Sequence, residues 1–261
     1  MAKELSGFSQ FEFAAKGTTK TVYYAGAEGE PPVVLMHELP GMVPECVELA
    51  RELRAEGFSV FMPLLFGEPN QNAIVTNTLR VCLSREFAMF AKGKSSPISS
   101  WMRELCRSAH ERSNGLPVGV IGMCLTGNFA LTLMVDEFVK APVMSQPSLP
   151  VGPLRSQHRD LGTTPSLLKQ AVERSERENL PIMGLRFTCD PLCREARFQR
   201  LEELFGDRFR KIEIDSSLGN PHGISVASHA VLTVHRVKEP EHPTQKAFRE
   251  VVAFLHEQLD T

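Results

Sequence analysis

Two spacings of apolar residues alternate along this chain. At the N-terminus Phe11 and Phe13 alternate with polar neighbours, Lys16-Gly17 can turn, and Thr19 to Tyr24 returns, so a β-hairpin is predicted. After Pro31-Pro32 the run Val33-Val34-Leu35-Met36 shows no alternation, which suits a strand covered on both faces. Beyond His37-Glu38-Leu39-Pro40-Gly41 the period lengthens. Pro44 fits a first helical turn, Cys46, Ala50 and Leu53 repeat near helical spacing, and Gly57 can end the helix.

The same alternation continues. Strands are predicted at Phe58 to Met62, Val118 to Ile121, Ala141 to Met144, Ile182 to Thr188, and around Ile212 and Ile214. Between them fall helices around Trp101, Leu105 and Ala109, directly after Cys124, from Thr164-Pro165 onward, and through Phe198, Leu201 and Phe205 up to Gly206. A helix around Phe248, Val251 and Leu255 closes the chain. Strands and helices in this order predict an α/β fold with a mostly parallel central sheet and helices on both faces. With no repeat, low-complexity tract or linker, residues 1–261 are expected to form one domain. The stretch from Phe66 to Ser100 is less regular and is predicted to pass over the top of the sheet, where ligands bind. It carries Arg80 and Arg85, candidates for binding a carboxylate-bearing substrate, although exposed or salt-bridged arginines are the ordinary alternative.

Charge and composition narrow the function. A formal net charge of −2 with interspersed signs offers a phosphate backbone little attraction, so nucleic acid is not an expected partner. No run of about 18 apolar residues can span a bilayer, and the first residues lack the apolar core of an export signal, so no membrane partner and a cytoplasmic protein are expected. Cysteines stand at 46, 82, 106, 124, 189 and 193. In a chain of this size without a secretion signal they read as reduced thiols rather than a disulfide framework.

The informative stretch is Val118 to Ala130: an apolar strand, Gly122-Met123-Cys124-Leu125-Thr126-Gly127, then a helical pattern. This is the context of a nucleophile elbow, a sharp turn that lifts a side chain above the sheet. Small residues are needed around it because the backbone there is strained. A helix N-terminus behind the sulfur favours a thiolate, and the Leu125 amide points where an oxyanion would develop. The plain alternative is a buried structural cysteine between strand and helix.

Gly-Met-Cys-Leu-Thr-Gly resembles the elbow of the dienelactone hydrolase family, α/β-hydrolases in which cysteine replaces the usual serine. The likeness extends over residues 30 to 230. Val33 to Gly41 resembles the family's strand and glutamate-bearing loop, which implies that Glu38 contacts and restrains the resting thiol. Ile182 to Thr188 with Asp190 resembles the strand that leads to the catalytic acid, and Ile212 to Ile214 with Asn220-Pro221-His222-Gly223 resembles the histidine loop. Thr126 departs from the family's glycine, which implies looser packing there or a divergent branch with its own pocket.

The residues support the same assignment by themselves. Nucleophile, acid and histidine follow in the order of α/β-hydrolases. Asp190 falls just past a strand end, although alone it reads as a turn residue before Pro191. His222 is preferred over His229, seven residues on, because it lies closer to the strand end. The second oxyanion amide is expected from Leu39. His37-Glu38-Leu39-Pro40-Gly41 is not a zinc-protease motif, since its fifth residue is glycine and Pro40 disfavours a helix. Cys189-Asp190-Pro191-Leu192-Cys193 has no recognised zinc spacing, and no metal or cofactor is expected. The sequence therefore predicts a Cys124-His222-Asp190 ester or lactone hydrolase, a monomer or homodimer acting on a small molecule. The rival is a non-catalytic binding protein of the same fold, or one that uses Cys124 as a redox-sensing thiol.

Overall fold

The computed structural model describes residues 5–71, 97–152 and 154–260. Arg80, Arg85 and Cys82 lie outside these described residues, and so does most of the excursion after Phe66.

Among the described residues eight strands form one sheet: β1 (Ser9–Ala15), β2 (Thr18–Ala25), β3 (Pro32–Met36), β4 (Ser59–Pro63), β5 (Val118–Met123), β6 (Val139–Ser145), β7 (Ile182–Phe187) and β8 (Phe209–Ile214), in spatial order β1-β2-β4-β3-β5-β6-β7-β8. The β1–β2 and β2–β4 pairs are antiparallel and the rest parallel. The described helices are α1 (Pro44–Ala55), α2 (Pro97–Arg112), α3 (Gly127–Leu133), α4 (Arg155–Arg159), α5 (Pro165–Glu178), α6 (Glu195–Phe205) and α7 (Pro243–Leu259).

Local chemistry explains the boundaries. Ala15 pairs with Thr18 across Lys16-Gly17, whose φ values are 50° and 74°. Two consecutive left-handed residues make the tight turn whose twist suits a hairpin. Helix α5 begins where the Thr164 side chain accepts the Leu167 N–H at 3.2 Å, with Pro165 in the first turn. Helix α6 stops at Gly206, as its position after Phe205 predicts.

Strands β3, β4, β5 and β7 are buried along their whole length, as continuous apolar runs require when helices cover both faces. The period-two alternation sorts their side chains. Val34, Met36, Val118 and Val120 join Trp101 of α2, Phe129 of α3 and Phe198 of α6 in one core. Val33, Leu35, Ile121 and Met123 join α1 and α7 in the other.

The order of strands also places the site. From β3 the chain goes through α1 to β4 on one side, then returns to β5 on the opposite side of β3. Beyond the carboxyl ends of β3 and β5 there is thus a switch point, the crevice where open α/β sheets bind ligands. Glu38 follows β3 and Cys124 follows β5.

The loop that leaves β6 is fixed by an arginine. Arg197 of α6 is 1% exposed and donates to the carbonyls of Pro147 (2.6 Å), Asp160 (2.8 Å), Pro150 (3.0 Å) and Gln157 (3.1 Å). One guanidinium so satisfies several backbone acceptors that a proline-rich loop cannot pair in a sheet. Short helix α4 lies within this stretch, which sequence pattern alone reads as loop.

Candidate active site

Cys124 sits at the first position of a 3-10 turn, Cys124–Thr126, between β5 and α3, with φ of 52°. A left-handed residue other than glycine, asparagine or aspartate is uncommon and costs conformational energy, so surrounding structure must impose it. Here the imposing contacts are visible. A Cβ on Gly122 would lie 2.3 Å from the Thr126 carbonyl oxygen, and one on Gly127 would lie 2.7 Å from Pro147 Cα. Only glycine fits at either position. Leu125 is the second residue of the turn, where an N–H has no acceptor within the helix.

Thr126 does not loosen this packing. It is fully buried, its Oγ1 accepts the Met123 N–H at 2.9 Å, and it lies 3.1 Å from the Met36 carbonyl, to which it can donate. Its hydroxyl thereby ties the elbow to the end of β3. The threonine in place of the family's glycine is a latch between two strands.

The histidine beside the thiol is His229. Its Nδ1 lies 2.6 Å from Asp190 Oδ2, and a ligand atom of the ring lies within 4.8 Å of the Cys124 sulfur. Burial alone would lower the imidazole's pKa, but hydrogen bonds to Asp190 and Cys124, with the charges of both, push it up to about 10. Asp190 is 3% exposed and its other oxygen accepts the Leu192 N–H at 2.8 Å, which fixes the carboxylate. Ser148 Oγ stands 3.3 Å from His229 Nε2, and the Ser148 N–H donates to the Cys124 carbonyl at 3.0 Å.

The expectation for His222 is corrected. Its ring is exposed and meets His242 edge-on at 5.4 Å, away from Asp190 and Cys124. The reason lies in Asn220, whose Oδ1 accepts from the N–H of His222 (3.1 Å) and of Ile224 (3.0 Å). Its Nδ2 donates to the carbonyls of Ser217 and Ile224. These bonds close an outward turn over Asn220-Pro221-His222-Gly223. The chain then returns, and Ala230, Val231 and Leu232 bury themselves and carry His229 with them.

Glu38 lies 1% exposed against the same sulfur and imidazole. One ligand atom each from Glu38, Cys124 and His229 lie within 4.8 Å of one another. Burial raises the Glu38 carboxyl above its ordinary range, against the hydrogen bond from Thr233, the charge of His229 and the bond from Gln146. Thr233 Oγ1 bonds its Oε1, and Gln146 Nε2 donates to Oε2 at 3.0 Å. Gln146 is itself buried with φ of 33°, at the end of β6. Gln146, Ser148 and Thr233 escaped sequence reasoning, because nothing in their spacing marks them.

Leu39, the other expected amide donor, is half-buried on the loop after β3. The preceding His37 is fully buried and structural. Its Nε2 accepts the Leu65 N–H at 3.0 Å and its Nδ1 faces the Glu38 carbonyl, while burial pushes its pKa down to about 4. The five described cysteines are unpaired, and Cys46, Cys106 and Cys193 are buried thiols. Burial drives the thiol pKa of each above the usual range. Among the described residues no helix is long and apolar enough to cross a membrane.

A parallel sheet with its sulfur on a left-handed elbow, an acid after β7 and a histidine after β8 define an α/β-hydrolase. The sequence matches the dienelactone hydrolase family over residues 20–259, and the chain belongs to that family of ester hydrolases. The search of curated proteins found no match. Solved structures resemble it in fold at low identity. A provisionally named dienelactone hydrolase from Klebsiella pneumoniae is 17% identical with a TM-score of 0.67, over 96% of this chain and 98% of that one. A cold-adapted esterase from an Arctic intertidal metagenomic library is 13% identical with a TM-score of 0.63, over 98% and 97%. A dienelactone hydrolase-like promiscuous phosphotriesterase from metagenomic libraries is 12% identical with a TM-score of 0.61, over 97% and 98%.

Proposed function

We propose that this protein hydrolyses a small carboxylic ester or lactone through a Cys124-His229-Asp190 triad. The observation that carries the reading is the strained elbow that aims Cys124 at an imidazole whose far nitrogen is 2.6 Å from a buried carboxylate. His229, held by Asp190 beside the sulfur, provides a base and charge partner for a cysteine nucleophile.

The chemistry follows from those groups. The Cys124 sulfur attacks the carbonyl carbon, and the electron pair moves to oxygen, which the amides of Leu125 and Leu39 receive. Each such donor is worth a factor of about 100 to 1,000 in rate. As the tetrahedral adduct collapses, the C–O bond breaks and His229 gives its proton to the leaving alkoxide. The neutral imidazole then takes a proton from water, and the hydroxide attacks the thioester. Collapse releases the carboxylic acid and restores thiolate and imidazolium. Asp190 keeps the imidazole in the tautomer that places Nε2 toward the reacting atoms. Glu38, by resemblance to the family, restrains the thiol before substrate arrives.

Ordinary binding without catalysis needs none of this apparatus, and the alignment of all three groups favours the enzyme over the redox sensor. Turnover of an activated aryl ester and of small lactones by wild type, Cys124→Ala and His229→Ala tests the reading. The expected result is loss of turnover in both variants. Wild-type turnover by Cys124→Ala ends the proposal.

A further inference from the structure

Glu38, Cys124 and His229 present three different donor atoms to one another within 4.8 Å: a carboxylate oxygen, a sulfur and an imidazole nitrogen. Hydrolysis of an ester needs the sulfur and the nitrogen. The third donor, to which the family resemblance gives a restraint of the thiol, is an acid buried at 1% exposure with each oxygen held by its own hydrogen bond.

We propose that these residues also form a reversible inhibitory site for a zinc-class divalent ion, with Glu38, Cys124 and His229 as its three protein ligands. The donor set is the first argument. Zn2+ is bound by thiolate, imidazole and carboxylate, whereas calcium and magnesium prefer oxygen alone. One thiolate and one carboxylate also neutralise its two charges inside a buried site.

Support around the ligands is the second argument. His229 Nδ1 is 2.6 Å from Asp190, which leaves Nε2 as the ligating atom and reproduces the carboxylate–histidine pairing that orients imidazoles on zinc. Glu38 is oriented by Thr233 and by Gln146, whose Oε1 in turn accepts the Val231 N–H at 3.3 Å. Zinc bonds of about 2.0 to 2.3 Å require the three atoms, now within 4.8 Å of one another, to draw together. Three protein ligands leave a fourth position for water.

Binding replaces the one proton that the Cys124–His229 pair carries between sulfur and Nε2, which passes to solvent, by a sulfur–metal and a nitrogen–metal bond, and no oxidant or reductant is involved. The ion then occupies the sulfur lone pair and the imidazole nitrogen that the proposed hydrolysis requires. Inhibition thus rests on that reading of the site, but binding does not.

The test titrates Co2+, a spectroscopic stand-in, into the full-length reduced protein. A sulfur-to-cobalt charge-transfer absorption saturating at one ion per chain is expected, displaced by Zn2+ and absent in Cys124→Ser. Glu38→Gln is expected to weaken Zn2+ binding at least about tenfold, and Asp190→Asn about 10- to 100-fold. Wild type alone provides a second readout that no folding defect can confuse. Zn2+ at saturation is expected to protect Cys124 from iodoacetamide, measured by peptide mass, with exposed Cys189 as the internal reference. A charge-transfer band that survives Cys124→Ser, or Cys124 alkylation unchanged by Zn2+, overturns the site. Ester turnover by Cys124→Ser is a separate result that bears on the hydrolase reading alone.

Discussion

Cys124 and His229 face each other within 4.8 Å, yet the chain holds them by opposite means. The cysteine is placed by its immediate neighbours: Gly122 and Gly127 admit the close approach of Thr126 and Pro147, and the strand and helix on either side are continuous with the turn. The histidine hangs in a long segment between β8 and α7 that has no regular element, and distant partners place it. Asp190 orients its ring, His235 Nδ1 accepts the Ala230 N–H at 3.1 Å, and Gln146 accepts from Val231. A locally encoded residue can be found from its flanking letters. A residue positioned by remote contacts cannot.

The largest effects should come from the two groups proposed to react. Cys124→Ala is expected to lower kcat by about 1,000-fold or more, and His229→Ala by a similar factor, because members of a triad act as a unit. His222→Ala should leave kcat and KM within about twofold, as expected of an exposed surface residue. Steady-state kinetics on one activated ester decides between the two histidines, and the opposite ranking breaks the contrast drawn above. Asp190→Asn comes next: loss of kcat by about 100- to 10,000-fold with little change in KM is expected from a wrongly oriented imidazole.

Stability changes are smaller. Gly122→Ala forces a Cβ against the Thr126 carbonyl, and a loss of about 1 to 3 kcal/mol should appear in urea unfolding. Thr126→Val leaves the buried Met123 N–H without its acceptor and should cost about 1 to 3 kcal/mol. Equal stability in that variant would show that the latch is dispensable.

A pH series sharpens the comparison last. The His229 pKa rises from 6.5 to about 10 on folding, so the imidazolium's contribution to stability is full below pH 6.5 and disappears as pH climbs through 10. The stability gap between wild type and Asp190→Asn should therefore narrow across that interval in denaturant titrations.

Much of the architecture was legible because it is written in short-range pattern. The Lys16-Gly17 turn, the unbroken apolar run of β3, the Thr164-Pro165 helix start and the Gly206 stop each follow from a few adjacent residues. At the site, Cys124 and Asp190 follow from strand ends, which pattern reveals, and Glu38 from the resemblance of its loop to the family's. His229 did not, because distance along the chain from β8 says nothing about which way an Asn220-closed turn faces. The burial of Ala230, Val231 and Leu232 was the available signal: an apolar run inside an otherwise polar loop has to dock, and whatever precedes it docks too. Gln146 and Thr233 were illegible for a deeper reason, since their role exists only once Glu38 lies between them.

The bond from Thr233 to Glu38 joins positions 195 apart in the chain. During synthesis the elbow sulfur emerges well before its imidazole, its acid's partner and this hydroxyl. Until the last loop has closed, Cys124 lacks the histidine proposed to activate it. Under the proposed triad the fold in this way delays reactivity: the sulfur gains its base only when the finished molecule is assembled around it.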